Sequence, residues 1–287
     1  MRHEAVHISG PAAGYFAHPF FLRDAPSYMN RKVAIVTGVG RLKGIGKAIC
    51  VELAKNDVDI FFTYWRNYDN QMPWTSEDGE PELIREEIQG LGVRCEKMEV
   101  DLRAETAVET LFNEAIKTVG PPTILINNAT YSTATDIFTI TPTELDQHYL
   151  VNLKAATLLC VEFVRRYQGG RAGRIINLTS GQSLSAMSGE IAYAITKAGI
   201  ETLTKTLAHE LAAKGITINA VNPGLTDSGW LEDSHRQLFQ DRFPMGRFGQ
   251  PEDAARLINF LVSDQAGWIT GQVIHSEGGF IREKYSN

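Results

Sequence analysis

From residue 32 onward, the hydrophobic and polar positions alternate between two textures. Short β-branched runs read as strands, and longer stretches with apolar residues three and four apart read as helices. The order is KVAIVT, then a helix from about Ile45; VDIFFTY, then a helix within 81–90; VRCEKMEV, then a helix over 104–119. It continues with TILIN and a long helix beginning at TPTE, then GRIINLT and a helix through Tyr193 and Lys197. ITINAV, a helix after Pro251 and a final GQVIH complete it. Strands alternating with helices in this way predict an α/β fold, a doubly wound parallel sheet of seven strands with helices on both faces.

Local signals set several boundaries. In TPTE, Thr141 can accept a hydrogen bond from the first turn, Pro142 suits the first helical position, and Glu144 can reach back, which together make a capping box. Pro251 opens its helix in the same way, with Glu252 and Asp253 complementing the positive end. Residues 66–82 are polar and punctuated by Gly and Pro, and predict a loop. Residues 223–250 mix aromatic and turn residues between a strand and a helix, and are expected to form a substrate lid.

Residues 1–30 show neither periodicity and read as an extension outside a single domain spanning 31–287. Met29 offers a second candidate start. His3 and His7 have helical ligand spacing but neither a carboxylate nor a credible helix around them, so no metal site is expected there.

Composition narrows the function. With 43% hydrophobic residues among 287, the chain can bury one large core. A net charge of -6 supplies no basic stripe, which argues against nucleic acid and for a small-molecule substrate. Cys50, Cys95 and Cys160 are widely spaced and form no C-x-x-C pair, which fits a reducing cytoplasm. No apolar stretch approaches the ~20 residues of a membrane helix, and no signal-peptide pattern is read at the start. The expectation is a cytoplasmic protein without membrane association.

The densest candidate chemistry is VTGVGRLKGIGKAIC, residues 36–50, a glycine-rich turn between strand and helix. Unpaired N–H groups at such a helix start can hold a pyrophosphate, so a dinucleotide is the natural ligand and the fold is of Rossmann type. A second element is YAITK, in which Tyr193 and Lys197 share one helix face. An ammonium beside a phenol is expected to lower its pKa from ~10 toward a useful range. Ser180 ends the strand GRIINLTS, where open α/β sheets place ligands, and can hydrogen-bond a carbonyl.

Taken in order, these residues resemble the short-chain dehydrogenase/reductase superfamily, in its carbonyl-reductase and alcohol-dehydrogenase branch, 3-oxoacyl-thioester reductases included. The resemblance covers about residues 31–280. Its T-G-x3-G-x-G turn is matched by Thr37, Gly38, Gly44 and Gly46, with two extra residues, and its N-N-A-G motif by Asn127, Asn128 and Ala129, with Thr130 replacing the glycine. The catalytic tetrad maps onto Asn152, Ser180, Tyr193 and Lys197, and the P-G motif onto Pro223 and Gly224. Glu277 stands where the family usually has Asp.

The resemblance implies that Tyr193 is the general acid in reduction or base in oxidation, and that Lys197 lowers its pKa while bonding the nicotinamide ribose. Ser180 polarises the carbonyl, and Asn152 holds a water that relays protons through Lys197. Asp101 and Leu102 are expected at the adenine, although Asp101 also suits a helix cap. Ile45, Tyr64, Asn128, Ala129 and Thr226 are expected along the rest of the cofactor. No metal is required.

The segment TYWRN, where an acidic residue would bind the ribose of NAD, has none at Tyr64 or Trp65. Lys43, Arg41 and Arg66 could pair with a 2′-phosphate, so NADP(H) is favoured, with NAD(H) possible through Asp69. Gln182, Ser183, Leu184, Met187 and Trp230 are candidates for the substrate wall. The leading expectation is an NAD(P)(H)-dependent carbonyl reductase or alcohol dehydrogenase, assembled by family resemblance as a homodimer or homotetramer. A non-catalytic nucleotide-sensing protein on the same fold is the alternative, motivated by the enlarged glycine turn and Thr130; a purely structural role comes third.

Overall fold

The computed structural model describes residues 31–72, 74, 76–170, 172–230, 236–237 and 239–282. The extension expected over 1–30, with His3 and His7, lies outside the described residues. Residues from Lys32 onward form one compact unit.

Seven parallel strands are present, in the order β3-β2-β1-β4-β5-β6-β7. They are β1 (Val33–Val36), β2 (Asp59–Tyr64), β3 (Cys95–Glu99), β4 (Ile124–Asn127), β5 (Gly173–Leu178), β6 (Ile216–Asn222) and β7 (Val273–His275). The strand order reverses direction between β1 and β4, which opens the crevice at their carboxyl ends where ligands bind in such sheets.

Strand periodicity divides the core. Ala34 and Val36 of β1 pack into one layer with α1 (Ile45–Ala54), α3 (Glu80–Gln89) and α8 (Pro251–Val262). Val33 and Ile35 face the opposite layer, with α4 (Ala107–Thr118), α6 (Ala156–Arg166) and α7 (Ile191–Ala212). Because both faces are covered, the strands read as continuous apolar runs rather than as alternation.

Most expected elements are present, with informative departures. Residues 66–82 are not loop throughout: Arg66–Asp69 form one helical turn, α2. The helix expected from 104 starts instead at Ala107, because the Asp101 carboxylate accepts the Arg103 N–H at 3.0 Å and holds the approach in a turn. At TPTE, Thr141 Oγ1 accepts from Glu144 N at 3.2 Å as expected, but the Glu144 carboxylate turns to the Thr133 hydroxyl at 2.6 Å rather than back to the cap. The reciprocal cap forms at α8, between Gln250 and Asp253.

The long helix after TPTE is interrupted. α5 (Pro142–His148) passes through a π-helical segment, Tyr149–Ala155, into α6. Asn152 lies within that segment. Among the described residues no helix is long and apolar enough to cross a membrane, and no cluster of His, Cys, Asp or Glu could hold a metal.

Candidate active site

The crevice is one cavity of about 930 Å³ that runs from the glycine turn to Ser180 and Tyr193. At its nucleotide end, Gly38 adopts φ 75°, and a Cβ there would fall 2.6 Å from the Ala129 backbone. Only glycine permits this crossing of the β1 and β4 exits. Thr37 Oγ1 locks it by accepting from Asn128 N at 3.1 Å and Ala129 N at 3.0 Å, while Asn128 Nδ2 donates to the carbonyls of Thr37 and Gly38, each at 2.9 Å.

α1 begins after Gly44 with no side-chain cap, so its first N–H groups are not claimed by a capping side chain. Gly38, Gly44, Ile45 and Gly46 line the cavity at this point. A Cβ on Gly46 would lie 2.8 Å from both Asn128 Nδ2 and the Gly38 carbonyl. The donor set and the clearance fit a pyrophosphate. Tyr64, Asp101, Leu102, Asn128, Ala129, Pro223, Gly224 and Thr226 line the same cavity.

The two extra residues of the glycine turn dock onto the segment after β2. A Cβ on Gly40 would overlap the Asp69 carboxylate. Arg41 places its guanidinium 4.2 Å from the Trp74 ring centroid and its Nε 3.9 Å from Asp69 Oδ1, and Nη1 donates to Ser228 O at 2.9 Å. The Leu42 N–H donates to the Glu80 carboxylate. Burial pushes the Asp69 carboxyl up and the Arg41 guanidinium down, each opposed by the other's charge.

Two of the cations expected at the cofactor's 2′ edge, Arg41 and Arg66, therefore have other partners. Arg66 donates to Asn70 Oδ1 at 3.0 Å, to Asp78 Oδ1 at 2.9 Å and to the Ser76 hydroxyl, and it does not line the cavity. Lys43 does not line it either; Arg41 does, but is held as described. Spacing along the chain could not show that these charges would be absorbed by the loop.

At the catalytic end, Ser180 follows β5 and Tyr193 lies on α7, and both line the cavity with the Ser180 hydroxyl acting on the Tyr193 phenol. Burial pushes the Tyr193 phenol up to about 12, opposed by the Ser180 hydroxyl, and the nearby Glu190 carboxylate adds to the rise. Lys197 is buried one turn on, its Nζ donating to Leu178 O at 2.8 Å and standing 5.5 Å from the Tyr193 ring centroid. Burial lowers its ammonium to about 8. The expected lowering of the phenol by this lysine is thus not seen, because desolvation outweighs it.

Ser180 is braced from beneath. Glu201 Oε1, buried on α7, accepts from Gln182 Nε2 at 2.6 Å, Ser183 Oγ at 3.0 Å and Thr179 Oγ1 at 3.2 Å. Gln182, expected on the substrate wall, is consumed by this brace, and exposed Leu184 also lies outside the cavity lining; Met187 and Trp230 do line it. The Trp230 indole donates to Thr226 O at 2.9 Å. The lid expectation is only partly described, since 231–235 and 238 are outside the described residues.

Asn152 does not line the cavity. Its Oδ1 accepts from Tyr131 N at 2.7 Å and Thr130 Oγ1 at 3.1 Å, and its Nδ2 donates to Tyr131 O at 2.9 Å and Thr196 Oγ1 at 3.1 Å. Both amide protons are used, so the side chain ties the β4 exit to α7 instead of presenting itself to a water. Thr130, in the family's glycine position, contributes its hydroxyl to that tie. Tyr68, which sequence reading missed, closes the cleft from the α2 side by accepting from Ser132 N at 3.2 Å.

This fold and this Ser–Tyr–Lys arrangement define a class, and the chain belongs to the short-chain dehydrogenase/reductase superfamily of oxidoreductases: residues 38–281 match the family described as enoyl-(acyl carrier protein) reductase. It is 48% identical over 258 residues to the uncharacterized oxidoreductase YjdA of Bacillus subtilis, covering 89% of this chain and 99% of that one. It is 32% identical over 254 residues to the 3-oxoacyl-(acyl-carrier-protein) reductase FabG of Aquifex aeolicus, covering 88% and 98%. A solved short-chain dehydrogenase/reductase from Serratia marcescens superposes with a TM-score of 0.76 at 29% identity, covering 87% of this chain and 97% of that one.

Proposed function

We propose that the protein is an NAD(P)(H)-dependent carbonyl reductase or secondary-alcohol dehydrogenase. The observation that carries this reading is the pairing of Ser180 and Tyr193 on one wall, with Lys197 buried behind them, in a cavity continuous with the glycine turn. The interval of four between Tyr193 and Lys197 also disfavours enoyl reduction, where family resemblance places the pair farther apart. Gly38, Gly44, Ile45 and Gly46 would hold the dinucleotide's pyrophosphate, and Asp101 and Leu102 its adenine.

When bound, a nicotinamide supplies or takes the hydride. Ser180 Oγ donates a hydrogen bond to the substrate oxygen and fixes it beside Tyr193. Tyr193 Oη, protonated at neutral pH, gives its proton to that oxygen in reduction and recovers one in oxidation. Lys197, with an ammonium that titrates near pH 8, stands ready to resupply charge behind the phenol. Asn152 and Glu201 are positioning residues, holding the β4 exit and the Ser180 turn.

NADP(H) is favoured because no free carboxylate stands at the end of β2 among the described residues: Trp65 fills that place, and Asp69 is tied to Arg41. The test is fluorescence titration with NADPH and NADH, then a screen of ketones and aldehydes with the preferred form. Oxidation of NADPH dependent on a carbonyl compound is expected; tight binding with no turnover across the panel would favour the sensing alternative.

A further inference from the structure

Beside Ser180, the cavity wall carries two arginines that proton transfer does not use, Arg242 and Arg282. Arg282 lies against the chain immediately after the serine: a Cβ on Gly181 would fall 2.6 Å from its Nη2. Its guanidinium pairs with Glu277, which also accepts from Asn222 Nδ2 at 2.7 Å, so this cation is neutralised within the protein.

Among the described residues Arg242 has no ion pair. Its Nη1 donates to Arg282 O at 3.2 Å, its Nε is buried without a hydrogen-bond partner, and no carboxylate lies within ion-pair distance among the described residues. Its guanidinium carbon stands 5.4 Å from the Phe239 ring centroid, and that of Arg282 stands 5.5 Å from Phe280. Phe239 and Phe280 pack edge to face at 6.2 Å, so the two cations lie on an aromatic bed that removes water from one side.

A guanidinium on a cavity wall, with one side against aromatic rings and no paired carboxylate among the described residues, favours an anion through its remaining N–H donors. Two acids at this end of the cleft are already accounted for. Glu277 pairs with Arg282, and Glu190 forms no ion pair with either arginine among the described residues. Among the described residues, the wall therefore carries one cation without a paired acid, in the cavity that also holds Ser180 and Tyr193.

We propose that the substrate carries an anionic group, a carboxylate or a phosphate monoester, in addition to the reacting carbonyl, and that Arg242 binds this group with Arg282 beside it. The inference rests on the carbonyl-reducing reading of the site. It makes Arg242 a specificity residue, because a planar guanidinium meets such anions through paired N–H donors.

The experiment uses the full chain with NADPH, and pairs of substrates that differ only in charge: oxo acids against their methyl esters, and phosphorylated ketones against the dephosphorylated compounds. The expected result is that the wild type prefers the anionic member of at least one series, which identifies the anion. Arg242→Gln then lowers the anionic-to-neutral ratio of kcat/KM by roughly ten- to hundredfold, mainly through KM. Arg242→Lys restores part of the ratio, since it keeps the charge but not the fork.

Melting and NADPH titration check that the variants fold; if Arg242→Gln does not, Arg242→Lys carries the test through the same ratio. A wild type that reduces neutral and anionic members equally overturns the inference, and so does a ratio unmoved by either variant. Both outcomes leave the carbonyl-reducing reading standing. A wild type that reduces no member of any pair removes both.

Discussion

At the catalytic end of the cleft, Ser180, Tyr193 and Lys197 are placed by one strand end and one helix, so thirteen residues separate the serine from the tyrosine and four separate the tyrosine from the lysine. At the nucleotide end, the glycine turn is shaped by partners far along the chain: Gly40 and Arg41 against Asp69 and Trp74, and Leu42 against Glu80. The first arrangement is set by local geometry, in which side chains four apart on a helix share a face. The second is set by tertiary packing of an enlarged turn against an enlarged connection. Charges at the first end keep their chemical freedom, while those at the second are spent in holding the fold together.

Three substitutions probe that contrast, in descending order of expected effect. Tyr193→Phe removes the proton donor and keeps the ring, and should lower kcat by roughly 10²–10⁴-fold with NADPH affinity little changed. Turnover that survives in stopped-flow assays would move the acid elsewhere.

Lys197→Met separates burial from chemistry. The native ammonium titrates near pH 8, whereas an unfolded lysine does so near ~10.4. Between those values the unfolded chain binds the proton and the native protein does not, so native stability rises with pH across that window. The rise amounts to roughly 3 kcal/mol. Urea melts at pH 7 and pH 10.5 should show this rise in the wild type relative to the variant, in which it is abolished. Parallel curves would place the charge of Lys197 in contact with water.

Arg41→Met tests the other end. Loss of the contacts to Trp74, Asp69 and Ser228 should cost about 1–2 kcal/mol in thermal unfolding, and should weaken NADPH and NADH by the same factor. A loss confined to NADPH would show that Arg41 leaves Asp69 to meet a 2′-phosphate.

The same contrast explains what could be read from residues alone. The seven strands were legible because their apolar runs are continuous, and Ser180, Tyr193 and Lys197 because their spacing is also their geometry. The glycine turn could be located but not interpreted: Arg41 and Arg66 look like free cations until Asp69, Ser76 and Asp78 are brought to them. Gln182 looked like a pocket residue because nothing in its neighbourhood reveals that Glu201, nineteen positions later, would claim its amide. Arg242 and Arg282 carried no signal at all, since they are forty residues apart and meet only through the fold.

The π-helical segment Tyr149–Ala155 has its own consequence. A wider turn puts the helix after it out of phase with the helix before it, by about 100° for each extra residue. The π-helical segment and the helix after it can then serve different neighbours: Asn152 bonds the β4 exit and Thr196, while Leu159, Cys160 and Phe163 pack in the core layer against the sheet. Rotational phase is what this segment stores, and it is stored in residue count more than in residue identity. Between 149 and 155, length is therefore what the architecture demands, and inserting or removing one residue would re-aim one half of the helix.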